Sequence, residues 1–311
     1  KIVDAAKEAG VEVLKHQTHI VDDEMTKEAK KIIPGNSTKS IYQIMSECAM
    51  SEEDEWELMN YVIHKKMIFI STPFSRAAAD RLEKFNVPAY KIGSGECNNY
   101  PLIEHIAKFK KPIILSTGMN TIDTIRPAVD ILESENIKYA LLHTTNLYPT
   151  PYHLVRLNCL IQLKNIFPNA VIGLSDHTDN NLSVYGALAL GASIIEKHFV
   201  DSKKRNGPDV SCSADPEDVK KIIKACNILA EERGGNKNTL LEEEKITANF
   251  AYATVVAIKD IQKGDILTMD NIWVKRPGTG KILAKDFKSI LGKKANRDLE
   301  HDSHFSPEDF S

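Results

Sequence analysis

The sequence predicts an α/β chain built as a (β/α)8 TIM barrel with a small C-terminal domain. Three observations predict it: short apolar runs alternate with amphipathic helical stretches, nearly every run ends in side chains able to do chemistry, and residues 247–311 change character. Strands alternating with crossover helices demand a parallel sheet, because parallel neighbours cannot be joined by a tight hairpin. An open doubly wound sheet gathers its chemistry at one switch point, whereas a barrel brings the C-terminal ends of all its strands to one mouth. The polar run ends therefore favour the barrel.

The chain opens inside a helix, with Ile2, Val3, Ala6 and Ala9 on one side of residues 1–10 and Gly10 as its stop. Strand runs follow at 11–14, 67–70, 89–92, 112–115, 139–142, 170–174 and 193–195, and helical patterns at 52–65, 77–85, 102–108, 121–135 and 182–190. Seven runs are visible, so the expectation is that a first strand is missing before Lys1 and would make eight. A barrel lacking it exposes the hydrogen-bonding edges of two strands. Without that strand the chain is expected to be less stable or less active than the full reading frame. Residues 216–233 read as a helix that Gly234 and Gly235 break, which bounds a barrel domain at 1–233 and a charged linker at 234–246. In the small domain, 247–311, strand patterns at 254–258 and 270–274 flank a turn between the apolar positions Ile261 and Leu267.

Composition narrows the function. With 311 residues, 42% hydrophobic and 27% charged, the chain is globular. Lys and Arg total 40 against 43 Asp and Glu, a net charge of −3, so no field of one sign draws it to nucleic acid or an anionic membrane. Apolar runs fall short of the ~20 residues a membrane helix needs. The five cysteines lack CxxC spacing, which fits free thiols in a reducing cytoplasm.

His177 and His198 end the last two strand runs, neighbours in a barrel, where two imidazoles with open positions suit a Mn²⁺-type or Zn²⁺-type Lewis acid. The plainer reading is a pair of packing histidines. Lys15 and Lys91 end inward-facing strands, where an ammonium needs an anion to meet it. With Thr72, Ser94, Ser116 and Ser175 around the same mouth they make a site for a phosphate and a carboxylate. Glu96 follows Gly93-Ser94-Gly95, whose glycines allow a ligand close to the backbone, and is the candidate acid or base. Asn146 and Tyr148 follow the fifth run. Asp209, in Asn206-Gly-Pro-Asp, suits sugar hydroxyls or simple turn chemistry, and Arg276 is a solvated arginine on pattern alone.

These strings resemble those of the bacterial sialic acid synthase (N-acetylneuraminate synthase) family. They are Lys15-His-Gln-Thr-His, Ser71-Thr-Pro-Phe-Ser, Tyr90-Lys-Ile-Gly-Ser-Gly-Glu-Cys-Asn-Asn-Tyr-Pro-Leu-Ile, Leu115-Ser-Thr-Gly-Met, Tyr148-Pro-Thr-Pro, Gly173-Leu-Ser-Asp-His-Thr and Glu196-Lys-His-Phe, with Trp273-Val-Lys-Arg-Pro-Gly near the C-terminus. The resemblance covers essentially the whole chain and implies a barrel joined to an antifreeze-like (SAF) domain in a swapped homodimer. It implies condensation of phosphoenolpyruvate with N-acetylmannosamine to N-acetylneuraminate and phosphate. Lys15, Thr72, Lys91, Ser94, Ser116, Asn146 and Ser175 would hold phosphoenolpyruvate, and His177 and His198 would bind Mn²⁺ or Mg²⁺. Glu96, Tyr148, Asp209 and Arg276 would contact the amino sugar, with Arg276 delivered by the partner subunit. Glu96 and His198 are the implied catalytic residues. The missing strand would bring a further glutamate and an Asn-His pair. Two alternatives stay open: a legionaminate or pseudaminate precursor as acceptor, and a non-catalytic carbohydrate-binding protein on a barrel scaffold.

Overall fold

The computed structural model describes residues 1–34, 38–207 and 209–311. The chain divides into two compact units, Lys1–Gly234 and Gly235–Ser311. The first unit opens with α1 (Ile2–Ala9), ended by Gly10 at φ 94°, and β1 (Val13–Thr18). Before β2 (Ile68–Pro73) come α2 (Val21–Glu24), α3 (Ile41–Cys48) and α4 (Glu52–His64). The alternation then runs α5 (Arg76–Lys84), β3 (Tyr90–Ile92), α6 (Tyr100–Ala107), β4 (Ile113–Ser116), α7 (Ile122–Ser134), β5 (Tyr139–Thr144), α8 (Asn158–Ile166), β6 (Val171–Asp176), α9 (Leu182–Ala189), β7 (Ile194–Lys197) and α10 (Pro216–Glu232).

Local chemistry fixes where several helices start. Ser51, Ser75 and Asn99 each accept a hydrogen bond from the backbone N–H three residues on, satisfying a donor the helix itself leaves free. Thr121 and Asp215 close capping boxes. Each of these five helices then packs apolar side chains against a core that includes Phe69, Tyr90, Leu82, Ile103, Leu115, Leu132 and Leu141.

The seven strands are parallel and lie in chain order, β1-β2-β3-β4-β5-β6-β7. Sequential order removes the open doubly wound sheet, which requires a reversal of strand order. Crossovers of one hand, stepping always in one direction, put all helices on one face. The opposite face is then covered only if the sheet curls on itself. Among the described residues the sheet holds seven strands, the number expected, with β1 and β7 each paired on one side only, so a closed eight-stranded ring is not formed. What is present is a barrel-like curled sheet.

Side chains inside the curl alternate in size. Leu142 fills the interior beside Gly173, where a Cβ would fall 2.4 Å from Leu142 Cδ2 and 2.5 Å from the Ile194 carbonyl oxygen. Only glycine leaves room for that leucine.

The second unit holds the short helix α11 (Lys245–Ala251), which was not expected and begins inside the expected linker at 234–246, and the antiparallel pair β8 (Thr254–Ala257) and β9 (Ile272–Lys275). Its own core joins Val255, Ile261, Leu267, Ile272, Leu299 and Phe305, so the expected turn is present with both flanking apolar residues buried. α12 (Phe287–Ile290) packs on the same core.

Candidate functional site

Parallel partners point to the same face and successive residues to opposite faces, so register decides which side chains share the interior. Gln17 pairs with Thr72, and Ser71 with Tyr90, which sets Thr72 beside Lys91. Lys91 pairs with Ile114, two residues before Ser116, and Ser116 pairs with Leu142. Thr144 pairs with Ser175, and Ser175 with Glu196. The predicted Lys15, Thr72, Lys91, Ser116 and Ser175 therefore face one interior.

At its centre, Lys91 Nζ donates to Ser116 Oγ at 2.6 Å and to the Ile92 carbonyl at 3.0 Å. Glu196 Oε2 lies 3.7 Å from Lys91 Nζ and Oε1 4.0 Å from Lys15 Nζ. Ser175 Oγ donates to Glu196 Oε1 at 3.2 Å. Burial drives the Lys91 ammonium down to about 8, against the pull of Glu196, which favours the charged form. Burial would raise the Glu196 carboxyl, but Lys91 and then Lys15 hold it below the usual range. The site is thus two lysines and one carboxylate, a net positive seat for a dianion. Glu196 was absent from the expected set, although it lies two residues before His198 on the same strand face, and that period was the signal available.

Ser94, Gly118 and Asn146 close the adjacent wall. Ser94 Oγ accepts from the Gly118 N–H at 3.0 Å, and Asn120 Nδ2 donates to the Ser94 carbonyl at 2.9 Å. Asn146 Oδ1 is buried and has no partner among the described residues, a placement suited to a ligand donor. A Cβ on Gly118 would meet that oxygen at 1.7 Å and Ser94 Oγ at 2.9 Å. Gly118→Ala should displace Asn146 and lower turnover by ~100-fold, since misplacing a positioning group by ~1 Å costs about that much. Unchanged steady-state kinetics would remove Asn146 and Ser94 from the site.

The histidines meet one strand-end further on. Their ring centroids are 5.3 Å apart, and Tyr148 covers both, at 4.2 Å from His177 and 5.8 Å edge-on to His198. His177 Nδ1 lies 2.9 Å from the Thr145 carbonyl, which can only accept. The hydrogen therefore sits on Nδ1 and the Nε2 lone pair is free, the arrangement that orients a metal-binding imidazole. His198 Nδ1 is 3.6 Å from Asp209 Oδ2. Burial holds both rings below the ordinary histidine range, which keeps them in the neutral ligand form. Two neutral imidazoles fit a borderline divalent cation. No group of three or more His, Cys, Asp or Glu is assembled among the described residues, so water or substrate oxygens would complete the shell.

The His177 turn is braced from behind. Asp176 accepts from the Thr178 N–H at 3.2 Å and from Thr178 Oγ1 at 2.9 Å, while Lys197 Nζ donates to Asp176 and, at 2.7 Å, to the Thr178 carbonyl. This buried pair was also missed by sequence reasoning, because its partners lie on different strands.

Glu96 sits on the short 3-10 turn Ser94–Glu96. Burial, and after it the charge of Glu24, push its carboxyl up to about 7. Tyr148 is pushed up to about 12 by burial and Asp209. In the Asn206-Gly-Pro-Asp string, Pro208 lies outside the described residues and Asp209 is the side chain facing His198. Arg276 belongs to the smaller unit, directly after β9.

Comparison with known proteins adds the following. A model described as the NeuB family matches residues 2–238, and a SAF domain model matches residues 252–311. An uncharacterized protein of Methanocaldococcus jannaschii is 39% identical over 97% of this chain and 86% of its own length. The N,N'-diacetyllegionaminic acid synthase of Campylobacter jejuni is 32% identical over 97% of this chain and 92% of its own. The pseudaminic acid synthase of Helicobacter pylori is 34% identical over 98% and 91%. Among solved structures, the N-acetylneuraminic acid (sialic acid) synthetase of Leptospira borgpetersenii superposes with a TM-score of 0.72 at 24% identity, covering 79% of this chain and 82% of that one.

Proposed function

The chain belongs to the NeuB family, and on that premise we propose that it condenses phosphoenolpyruvate with N-acetylmannosamine to give N-acetylneuraminate and phosphate. The observation that carries this is the buried Lys91, bonded to Ser116 and neighboured by Glu196 and Lys15, at a mouth lined with hydroxyls and an unpartnered amide. Buried ammonium groups are expensive without an anion, and phosphoenolpyruvate presents two anionic groups on a three-carbon frame.

In this reading Lys15 and Lys91 offset the donor's charge, and Thr72, Ser94, Ser116, Asn146 and Ser175 fix its orientation. The donor C3 is thereby held against the open-chain aldehyde carbon, where attack forms the new C–C bond. Water adds at the cationic C2, and phosphate leaves with C–O cleavage. Glu96 handles the protons of these steps. Tyr148, Asp209 and, from a partner subunit, Arg276 contact the sugar. His177 and His198 would hold Mn²⁺ or Mg²⁺, which supplies Lewis acidity toward the aldehyde when bound.

The legionaminic and pseudaminic acid synthases among the relatives favour a second reading in which the acceptor is another 2-acetamido sugar. One assay separates the two. The protein is incubated with phosphoenolpyruvate, Mn²⁺ and N-acetylmannosamine or the related acceptors, and phosphate release and product mass are followed. The expected result is the N-acetylneuraminate mass, abolished by EDTA. Product only from another acceptor selects the second reading, and no phosphoenolpyruvate turnover overturns both.

A further inference from the structure

The face of β1 and β2 turned away from the mouth carries a buried polar cluster that the proposed condensation does not use. Residues alternate across a strand, so Lys15, Gln17 and Thr72 face the interior while His16, Thr18 and Ser71 face the helices. There Thr18 Oγ1 donates to Glu55 Oε1 on α4 and lies 2.7 Å from Ser71 Oγ. A threonine hydroxyl has one hydrogen and Glu55 takes it, so Ser71 is the donor to Thr18. Arg81 on α5 closes the chain, its Nη1 donating to Glu55 Oε2 at 3.2 Å. His16 Nε2 lies 3.7 Å from Glu55 Oε1, but burial holds that ring down to about 4, so it is neutral and the cation of the cluster is Arg81. The surrounding layer is apolar, with Met59, Val62, Phe69 and Leu82 packed in it. Replacing a buried ion pair by well-packed apolar residues is often neutral or stabilising, so stability alone does not account for this one.

The geometry that needs support is that of Lys15. Its strand is paired on one side only among the described residues, and its Nζ is 4.0 Å from Glu196 Oε1, beyond hydrogen-bond reach. Lys91, by contrast, stands on β3 between two strands and has its own bonds to Ser116 and the Ile92 carbonyl. Lys91 is held by its contacts, whereas Lys15 depends on the backbone beneath it. We propose that Glu55, Thr18 and Ser71 are positioning residues for Lys15: the hydroxyl chain that ends on the Glu55 carboxylate fixes the C-terminal end of β1 against β2 and α4, and so fixes where the Lys15 ammonium stands in the mouth.

The inference rests on the proposed function in one point, that Lys15 meets phosphoenolpyruvate. The cluster itself touches no substrate. Its members lie within three residues of Lys15 on β1 and one residue of Thr72 on β2, but on the opposite face, so they act through the strands and not through the ligand.

The test is a double-mutant cycle on phosphoenolpyruvate affinity, measured by titration calorimetry without an acceptor. It requires no turnover, so its failure is distinct from failure of the acceptor assay. T18V keeps the shape and removes the hydroxyl, and should weaken phosphoenolpyruvate binding by ~10-fold, the size of coupling between neighbouring residues. In a K15M background the same change should cost no more than about twofold, because the group being positioned is gone. E55A should match T18V, and E55Q, which keeps an oxygen for Thr18, should recover most of the affinity. A purely structural cluster would lower urea stability in these variants and leave the affinity of the folded protein alone. Native affinity in folded T18V, or an equal loss with and without Lys15, overturns the inference and leaves the proposed function standing. If T18V does not fold, S71A, which cuts the chain one link earlier, is read by the same rule. If K15M binds too weakly to measure, failure of E55Q to recover what E55A loses overturns the inference. Native affinity in K15M overturns it together with the role given to Lys15.

Discussion

Lys91→Met should abolish most turnover, by ~10³-fold, while costing about 3 kcal/mol of stability. Both effects come from the same atom. Lys91 Nζ is the buried positive group that bonds Ser116 and faces Glu196, and methionine keeps its length while removing the charge and the donors. The loss in turnover arises because the donor's anionic groups then meet Glu196 with only Lys15 to balance it. Removing one member of a buried pair strands the other, at ~3–5 kcal/mol. The lower end applies to this pair, because the Glu196 side chain stays 24% exposed and keeps Lys15 and Ser175. Urea unfolding and steady-state kinetics on K91M check the two effects separately. A variant that loses stability but keeps its kcat/KM for phosphoenolpyruvate would reduce Lys91 to a structural role. Lys91→Met combined with Glu196→Gln should recover much of the stability and none of the turnover, because the stranded charge is gone but the anion seat is not rebuilt.

The elements legible in the sequence were those governed by local rules. Residues 122–134 form a helix because Thr121 closes a capping box and Ile125, Ala128, Val129 and Leu132 share a buried stripe, all within one window of sequence. Strand ends were less legible. The apolar run at 11–14 announces β1, yet the strand occupies Val13–Thr18, because ladder pairing with β2 continues through Lys15, Gln17 and Thr18 after the apolar signal stops. In this fold the strand ends carry the chemistry, so a hydropathy-based boundary falls short where function begins. α3 (Ile41–Cys48) was not expected, although Ile41, Ile44, Met45 and Cys48 fall at helical spacing behind the Ser40 cap.

The site divides along the same line. Lys15, Lys91, Ser116, His177 and His198 could be singled out because each is an expensive or reactive side chain at the end of an apolar run. Glu196 reads in isolation as a surface glutamate in a polar tetrapeptide. Its meaning depends on Lys15, 181 positions earlier, and on Lys91, contacts created only by the sheet's curl. Asp176 and Lys197 likewise acquire a role only as mutual partners across two strands. Sequence distance, rather than weak chemistry, hid these residues.

His198→Ala should lower Mn²⁺ affinity by more than ~100-fold, beyond the ~10–100-fold that loss of an outer partner costs. Turnover should fall in parallel. The argument is that His177 alone offers one nitrogen, and no third protein ligand stands ready among the described residues. Asp209→Asn keeps both imidazoles and acts on the metal only through the orientation of His198, so its loss of Mn²⁺ affinity should fall within the outer-partner range. The comparison that makes the result specific is His143→Gln. His143 is more deeply buried than His198, but it faces the other side of the sheet, where Nε2 lies 2.6 Å from the Val155 carbonyl. Its replacement should cost stability and leave Mn²⁺ affinity unchanged in the folded fraction. Electron paramagnetic resonance of free Mn²⁺ reads affinity without substrate, so binding and chemistry are measured apart. Native affinity in H198A would sink the two-histidine assignment, and a loss equal to that of H143Q would reduce it to a folding effect. A loss in H198A, matched in H177A and absent from H143Q, is the outcome that the shared Tyr148 cover and the 5.3 Å ring separation lead one to expect.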